Sequence, residues 1–252
     1  MINLIVASRN AHKVQEIRAI LGRGFGYLAL NDFPHAPKTV EDAETFAGNA
    51  AKKAVELARW LARDETAQRV MRAAQSDPPV SNLTPVFDAY VLADDSGLEV
   101  DALEGAPGVH SARFAALDER GSRSPSARAT GNTPDAANNA KLLELLGEVP
   151  EEKRTARFRC VLALTPVLTP AEAGSSPVCY ADELELQTEL FEGACEGRVA
   201  FAPKGEGGFG YDPLFIPHGQ RESFAQLGED AKNKLSHRAK ALAKLRARWL
   251  KC

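Results

Sequence analysis

The sequence predicts an α/β fold, and three observations lead to that prediction. The chain opens with an apolar run, a polar turn and a helical pattern within residues 2–21. A long alanine-rich helical segment follows at 42–63. Two long apolar segments, at 155–168 and 178–200, are typical of strands in a sheet meander. Strands interspersed with amphipathic helices indicate a sheet that is covered by helices.

The first elements are a buried strand and a helix joined by a short turn. Residues 2–8, INLIVAS, are apolar and β-branched, which predicts a strand. Asn10 is a suitable cap for a helix over 11–21, which ends at Gly22. A strand, tight turn and helix in this order direct backbone amides toward an anion. A second strand is predicted near 27–30.

The middle of the chain alternates between helix, loop and strand. Glu41 stands just before the helix predicted over 42–63. Residues 64–89 contain SDPPVSNLTP without clear periodicity, which predicts an exposed insertion. Residues 89–103, AYVLADDSGLEVDAL, predict a strand, a turn and a second short strand, and 121–135 predict a polar loop.

The second half of the chain supplies a helix over 136–149, then the two long strands. A loop over 169–177 separates these strands. The chain ends in an amphipathic helix over 236–251. Its core-facing leucines are Leu242, Leu245 and Leu250.

Composition limits the class of partner. The 252 residues carry a formal net charge of −3, with 44% hydrophobic and 26% charged residues. This balance argues against broad binding of nucleic acid backbone but permits a small anionic ligand. The four cysteines form no CxxC pair, which predicts reduced thiols and a cytoplasmic protein. The opening residues do not resemble a signal peptide, and no run of 18 apolar residues predicts a membrane span.

The adjacent carboxylates of Asp94 and Asp95 raise the question of what stabilises them. They follow an apolar run and precede Ser96 and Gly97. Asp-Ser-Gly is common in Asx turns, so a structural role is one interpretation. Adjacent acids repel, however, and a cation is an obvious partner. Side chains alternate along a strand, so Asp94 and Asp95 should face opposite ways unless the turn intervenes; one would then reach the cleft, and the other would brace the turn.

Three further polar clusters each allow a structural and a functional interpretation. SRNAHK at 8–13 is either a capped turn or a phosphate site that includes Lys13. APKGEGGFGYDPLF at 202–215 is either a hairpin loop with core aromatics or a loop that stacks a planar base. KNKLSHRAKAL at 232–242 is either a solvated helix start or a cationic site, since positive charge opposes the helix dipole there.

Together these clusters combine carboxylates, cations and a loop with aromatic residues. Mg²⁺ typically takes one or two carboxylates and leaves its other positions to water and substrate phosphates. The combination therefore predicts a site for a nucleotide phosphate with Mg²⁺.

The chain resembles the Ham1/inosine triphosphate pyrophosphatase family. The matching segments are ASRNAHKVQEI, ETFAGNAAKKA, LADDSGLEVDALEGAPGVHSARF, RFRCVLAL, PKGEGGFGYDPLFIP and KNKLSHRAKAL. The resemblance implies a two-lobed α/β fold around a mixed sheet, with the active site in the cleft between the lobes. It also implies a homodimer that uses Mg²⁺. Its substrates would be ITP, dITP and XTP, cut between the α and β phosphates, which keeps these nucleotides out of DNA and RNA.

The resemblance also implies roles for particular residues. Asp95 would be the general base, and Glu41 and Asp95 would bind the metal. The substrate would be held by Ser8, Arg9, Asn10, Ala11, His12, Lys13, Lys53, Ser96, Phe209, Gly210, Tyr211, Asp212, Lys232, His237 and Arg238. Within this set, 8–13 and Lys53 would serve the phosphates, and the stretch from Phe209 to Asp212 would hold the base.

The chain departs from the family pattern in three respects. Arg9 and His12 stand where the family usually has glycines, and Gly48 replaces a glutamate. Glu44 could compensate for Gly48 from the same helical face. Insertions near 64–89, 119–133 and 169–177 lengthen what we predict to be a single domain over 1–252.

Two other classes of protein are alternatives. Maf-type pyrophosphatases share the fold and reaction but lack the GFGYDP and SHR segments. A nucleotide sensor without catalysis would lose the acids, which this chain retains. Pyrophosphate release that requires Mg²⁺ distinguishes an enzyme from a sensor.

Overall fold

The computed structural model describes residues 2–74, 89–117, 132–168 and 183–249. These residues form strands and helices in alternation, so the predicted α/β fold with a mixed sheet is confirmed. The strands are β1 (Asn3–Val6), β2 (Gly26–Ala29), β3 (Ala89–Val100), β4 (Thr155–Pro166), β5 (Glu189–Val199) and β6 (Phe215–Pro217). The α-helices are α1 (Ala11–Leu21), α2 (Phe46–Arg63), α3 (Glu65–Ala73), α4 (Asp135–Leu145), α5 (Glu183–Leu186), α6 (Phe224–Leu235) and α7 (His237–Trp249).

The described strands form one sheet in the order β2-β1-β3-β4-β5-β6. β1 pairs in parallel with both β2 and β3, and Leu4 lies opposite Tyr27 and Tyr90. β5 and β6 are antiparallel, with Val199 opposite Phe215. The parallel β1–α1–β2 unit places the start of α1 directly after the carboxyl end of β1, where α/β sheets commonly bind ligands.

The chain divides into two compact units. Unit 1 comprises Met1–Asp95, Val161–Phe191 and Lys244–Cys252, and unit 2 comprises Ser96–Cys160 and Glu192–Ala243. Three strands, β3, β4 and β5, and helix α7 contribute residues to both units. A single domain over 1–252 stays a prediction.

The core of unit 1 forms around β1 and α2. Asn10 caps α1 by accepting a hydrogen bond from the Lys13 amide, as the sequence predicts. α2 begins after Thr45, whose hydroxyl accepts from the Gly48 amide, so the helix starts later than the predicted residue 42. Small side chains on α2 are fully buried. The buried core residues of these two elements include Leu4, Ile5, Val6, Ala50, Ala54, Leu57, Ala58 and Leu61.

Unit 2 has an apolar core with several aromatic residues. Its buried members include Leu98, Phe114, Leu142, Phe158, Cys195, Val199, Tyr211, Leu214, Phe215 and Phe224. Cys160 and Cys195 are buried, and neither forms a disulfide within the described part of the chain; burial raises the pKa of Cys195. The other two cysteines lie outside the described residues.

Arg154 in unit 2 is buried without a carboxylate partner among the described residues. Its guanidinium donates to the carbonyl oxygens of Leu146, Val149, Val199 and Ala200 at 2.7–3.4 Å. The Phe201 ring covers it, with Cζ 4.3 Å from the ring centroid. One side chain thus satisfies carbonyl groups just after α4 and at the end of β5.

Two predictions about the middle of the chain are wrong. The Asp-Asp-Ser-Gly segment is not a turn, because β3 runs through it from Ala89 to Val100. Strand pairing and lysine partners outweigh the turn preference of these residues. Residues 65–73, predicted to lie in an exposed insertion, form helix α3, which Asp64 caps and whose Ala67 and Met71 are buried. The rest of that insertion, 75–88, lies outside the described residues, as do 118–131 and all of 169–177.

The later segments also differ in part from the sequence prediction. The strand predicted over 178–200 begins at Glu189, because α5 precedes it and the Thr188 hydroxyl closes that helical turn on Leu184 O at 2.6 Å. Helix α6 was not predicted. Its Ser223 and Gln226 form a capping box, a signal present in the sequence, but Gly228 at φ 79° breaks the helical periodicity. None of the helices in the described ranges has the length and apolar character needed to cross a bilayer.

Candidate active site

The two carboxylates of β3 are each paired with a lysine of unit 1. Successive side chains of a strand point to opposite faces, so the adjacent acids meet different helices. Lys13 Nζ of α1 lies 2.5 Å from Asp94 Oδ1. Lys53 Nζ of α2 lies 3.0 Å from Asp95 Oδ1 and donates to Asp94 O at 2.8 Å. The repulsion between adjacent acids is therefore offset by one ammonium group on each.

Asp95 keeps one oxygen available in a buried position. Its Oδ2 is buried and has no hydrogen-bond partner among the described residues. Burial raises the pKa of Asp95, although Lys53 acts in the opposite direction. Burial alone would lower the pKa of Lys53, but the charges of Asp95 and Glu41 outweigh it, and that pKa is raised. A buried carboxylate oxygen without a donor is suited to hold a cation or a water.

Glu41 and Asp95 are the nearest carboxylates to Lys53. Glu41 Oε1 lies 3.5 Å from Lys53 Nζ, and its side chain is 38% exposed. No group of three or more His, Cys, Asp or Glu side chains suited to a metal occurs in the described ranges. Two carboxylates are nevertheless enough for Mg²⁺, which keeps several waters and substrate oxygens. The donor set is thus compatible with Mg²⁺.

Helix α2 carries no carboxylate at position 48. A Cβ added to Gly48 would stand 2.8 Å from the Ala43 Cβ, so the local packing favours glycine. Glu44 was expected to compensate for the missing glutamate at position 48 from the same helical face. That expectation is wrong, because Glu44 is not part of the helix. Glu44 precedes the cap residue Thr45 and lies outside the helix, where it is exposed.

The turn between β1 and α1 is exposed except at its ends. Ser8 Oγ accepts from the Asn10 amide at 3.1 Å, so this hydroxyl and the Asn10 cap together shape the turn. Arg9, Ala11 and His12 are exposed, and Lys13 is turned inward to Asp94. The first amides of α1 and the Lys13 ammonium are therefore the groups available to an anion here.

Unit 2 contains a second cluster, in which the ion pair of Lys232 and Asp212 lies beside the ring of Phe209. Lys232 Nζ bonds to Asp212 Oδ2 at 2.6 Å, and it lies 4.1 Å from the centroid of the Phe209 ring. Asp212 Oδ2 also accepts from the Phe209 amide at 2.8 Å. Arg238 lies 5.9 Å from the same ring centroid and donates to Ser96 Oγ at 3.1 Å. An aromatic ring beside two cations is suited to a planar, electron-rich ligand.

The glycines of this loop permit its backbone path. Gly208 has φ +77°, and a Cβ there would stand 2.3 Å from Asp212 Oδ2. Gly210 has φ +64°. Tyr211 is 3% exposed and donates from its hydroxyl to Ser111 O at 2.9 Å, so it is a core residue. Of the two aromatics, Phe209 alone keeps partly exposed surface for stacking.

The cationic segment 232–242 spans two helices. Lys232 and Lys234 lie in the last turn of α6, where the helix dipole stabilises positive charge. The prediction that these two lysines oppose the dipole is therefore wrong. His237 and Arg238 do begin α7. The His237 ring is buried and stacks on Phe158 with centroids 4.8 Å apart. Its contact with a base stays a prediction.

Sequence patterns did not indicate two polar residues of α4. Asp135 Oδ2 accepts from the Gly210 amide at 2.7 Å, and Asn139 Nδ2 donates to Gly210 O at 3.0 Å. Their i, i+4 spacing puts both on one face of the helix. That spacing was visible in the sequence, but nothing in it identified Gly210 as their partner.

Comparison with known proteins decides the family. The model described as the Ham1 family matches residues 4–248. The chain belongs to the Ham1 family. This Ham1 protein is 40% identical to the dITP/XTP pyrophosphatase of Geobacillus kaustophilus, over 99% of the chain and 95% of that relative. It is 39% identical to the enzyme of the same name from Desulforamulus reducens, over 96% and 92%.

Solved structures of Ham1 proteins agree with this assignment. A HAM1 protein from Coxiella burnetii superposes with a TM-score of 0.69 at 28% identity, covering 100% of both chains. The dITP/XTP pyrophosphatase from Mycobacterium abscessus gives 0.59 at 32% identity, covering 97% of this chain and 98% of that one. The resemblance drawn from the sequence motifs is therefore confirmed.

Proposed function

We propose that this Ham1 protein is a nucleoside triphosphate pyrophosphatase. It hydrolyses the non-standard purine nucleotides ITP, dITP and XTP to the monophosphate and pyrophosphate, and so keeps them out of DNA and RNA. Relatives named dITP/XTP pyrophosphatase, similar along nearly the whole chain, support this substrate class. The observation that carries the proposal is Asp95, a buried carboxylate with one oxygen bonded to lysine and one that no described residue supplies with a donor.

Asp95 would act as the general base. Its free Oδ2 would accept a proton from the attacking water, and its raised pKa makes it a better proton acceptor than an ordinary aspartate. Lys53, bonded to Oδ1, would hold the carboxylate in place and attract the phosphates. Lys13 and the first amides of α1 would bind further phosphate oxygens.

Mg²⁺ is the cofactor we propose, with Glu41 and Asp95 as its protein ligands. Bound there, Mg²⁺ would neutralise charge on the phosphates and lower the pKa of a coordinated water. The carboxylates of Asp95 and Glu41, which both contact Lys53, fit a cation that takes few protein ligands.

The unit 2 residues would select the base. Phe209 would supply a stacking surface, and Arg238, with His237, would donate to the 6-oxo group of hypoxanthine or xanthine. Adenine presents a 6-amino donor there, so two donors would face each other. An unmatched buried donor costs roughly 1–3 kcal/mol, so two mismatches give a preference on the order of a hundredfold. Guanine must be excluded through its 2-amino group.

The test is pyrophosphate release from ITP, dITP, XTP, ATP and GTP at one Mg²⁺ concentration, with an EDTA control. We expect rapid release from the first three, IMP rather than IDP as the product of ITP, and no release with EDTA. Arg238→Ala should lower kcat/KM for ITP. Comparable rates on ATP and ITP would contradict the selectivity, and ITP binding without hydrolysis would support a sensor instead.

The same proposal includes location, oligomeric state and partners. The enzyme would be a cytoplasmic homodimer, and neither nucleic acid nor membrane would be a partner. Sedimentation at assay concentration tests the dimer, and a dimer mass is the expected result.

A further inference from the structure

Helix α4 holds both polar backbone groups of one loop residue. Asp135 Oδ2 accepts from Gly210 N at 2.7 Å, and Asn139 Nδ2 donates to Gly210 O at 3.0 Å. Gly210 stands between Phe209, with its partly exposed ring, and Tyr211, which is anchored in the core. We call this pair of hydrogen bonds the Gly210 clamp.

The clamp costs the protein free energy. Asn139 is 8% exposed, and its Oδ1 is buried with no hydrogen-bond partner among the described residues. Flipping the amide would not help, because Oδ1 would then face the Gly210 carbonyl oxygen. An unsatisfied buried acceptor is uncommon in native proteins and invites an explanation. Leucine, of similar size, would fill the position without that cost.

The chemistry of the bases suggests what the clamp gains. Adenine and guanine differ from hypoxanthine and xanthine by exocyclic amino groups, which need hydrogen-bond acceptors. A loop carbonyl near Phe209 would be such an acceptor if it turned toward the base. Asn139 holds the Gly210 carbonyl oxygen toward α4, and Asp135 holds the amide of the preceding peptide, so both peptide planes that meet at the Gly210 Cα are fixed.

We propose that Asp135 and Asn139 are positioning residues that determine base selectivity. They fix the two peptide planes that meet at Gly210, so that the Gly210 carbonyl stays turned toward Asn139 and does not accept from the amino group of a standard purine. This inference rests on the proposed function, because it assigns the base to the Phe209 loop. It adds that selectivity depends on α4 residues that do not themselves contact the base.

The central variant is Asn139→Leu, which removes the donor at similar volume. We expect kcat/KM for GTP relative to ITP to rise roughly tenfold, the scale of one buried hydrogen bond, with kcat for ITP nearly kept and its KM raised. Asp135→Ala should change the ratio in the same direction. Asp135→Asn retains an acceptor for the Gly210 amide and should restore wild-type selectivity.

Asn138→Leu is the matched control on the same helix. Asn138 is also buried, but it bonds to the Ala115 amide and to Thr133 rather than to the loop. This variant should lower thermal stability without changing the ratio of GTP to ITP hydrolysis. If Asn138→Leu changed the ratio as much as Asn139→Leu does, the change would be explained by lost stability alone, and the proposal would be overturned.

Hydrogen exchange of the peptide covering 207–214 tests the clamp without turnover. Exchange should be faster in Asn139→Leu and Asp135→Ala than in the wild type, and unchanged in Asn138→Leu. Unchanged exchange, or an unchanged substrate ratio in both clamp variants, would overturn the inference. A wild type that hydrolyses no purine triphosphate would instead refute the proposed function, and the exchange result would still decide whether the clamp exists.

Discussion

Asp94 and Asp95 are neighbours in sequence but differ in what surrounds them. The side chain of Asp94 is 1% exposed and held by Lys13. Asp95 shares Lys53 with Glu41, and its other oxygen has no donor in the part of the chain that the structure describes. The sequence was enough to select these acids, because paired carboxylates after an apolar run are unusual. It could not assign a lysine to each, since that depends on where α1 and α2 pack against β3.

Asp95→Asn removes the charge of the proposed base at nearly constant shape. We expect kcat for ITP to fall on the order of 10²-fold or more, which is typical when a positioned base is lost. Near-normal turnover by a folded variant would exclude this role. Steady-state kinetics with saturating Mg²⁺ provide the measurement.

The same substitution should not destabilise the metal-free protein at neutral pH. A carboxyl group whose folded pKa is raised stabilises the fold below its unfolded pKa of about 3.9, and that contribution is lost as the pH rises through the folded pKa. Ionised Asp95 therefore costs stability at pH 7. The control is Asp42→Asn. The hydrogen bond from Lys52 lowers the pKa of Asp42, so ionised Asp42 stabilises the fold at pH 7 and its substitution should change the free energy of unfolding in the opposite direction. Urea unfolding in EDTA measures the free energy of unfolding of both variants.

Lys53 and Lys52 form a natural pair for testing the phosphate site. The Lys53 side chain is 12% exposed and lies beside Asp95, whereas that of Lys52 is 32% exposed and bonds to Asp42 at 2.6 Å. Lys53→Met should lower kcat/KM for ITP at least tenfold, because a charged group that binds phosphate is lost and Asp95 loses its counterion. Lys52→Met should stay within about twofold of the wild type, as surface ion pairs contribute little. Equal losses would place the phosphates elsewhere.

At the scale of elements, predictions were best where periodicity and caps agreed. The helix predicted over 11–21 has the observed bounds, and Asn10 caps it. The Asp-Asp-Ser-Gly segment misled because turn propensity is a local preference, whereas strand pairing and the lysine partners are contacts distant in sequence. Helix α6 was missed because Gly228 interrupts its periodicity.

Gly193 of β5 controls how closely α7 approaches the sheet within unit 2. A Cβ at Gly193 would stand 2.0 Å from His237 O and 2.6 Å from Ala241 N, both of them backbone atoms that move only with the helix. Gly193→Ala should therefore destabilise the protein by about 1–3 kcal/mol. It should also lower kcat/KM for ITP, because Arg238 follows His237 on the displaced turn.

Gly24→Ala is the control for this substitution. A Cβ at Gly24 meets no atom within 4 Å, so stability and activity should both stay near wild type. Thermal melting and ITP kinetics on the two variants make the comparison. A Gly193→Ala protein with unchanged melting temperature would show that α7 can shift without cost.

At the scale of the whole molecule, each unit is assembled from separate stretches of sequence. Unit 1 draws on three segments and unit 2 on two. No composition shift or linker marks these boundaries in the sequence, which is why it predicted one domain. The boundary in β3 falls between Asp95 and Ser96, two residues that the motif DDSG joins.

Net charge leads to a prediction about salt. The chain carries −3 overall, so attraction of an anionic nucleotide must come from a few local cations such as Lys13 and Lys53. Raising KCl from about 50 to about 300 mM should raise KM for ITP, because ions screen exposed charges. The rise of KM with salt should be smaller in Lys13→Ala than in the wild type and unchanged in Lys52→Met. A KM independent of salt in the wild type would contradict attraction by local charges.

Arg154 has a consequence for how the protein responds to acid. Many buried cations lose their partner when a carboxylate takes up a proton, so the fold loosens there as the pH falls. Arg154 is held by four main-chain carbonyls, which do not titrate. Burial lowers the pKa of its guanidinium, yet an arginine remains charged in proteins. The contacts that Arg154 makes with the ends of α4 and β5 should therefore persist at low pH. We expect acid unfolding to begin at the ion pairs between carboxylates and basic side chains elsewhere in the protein.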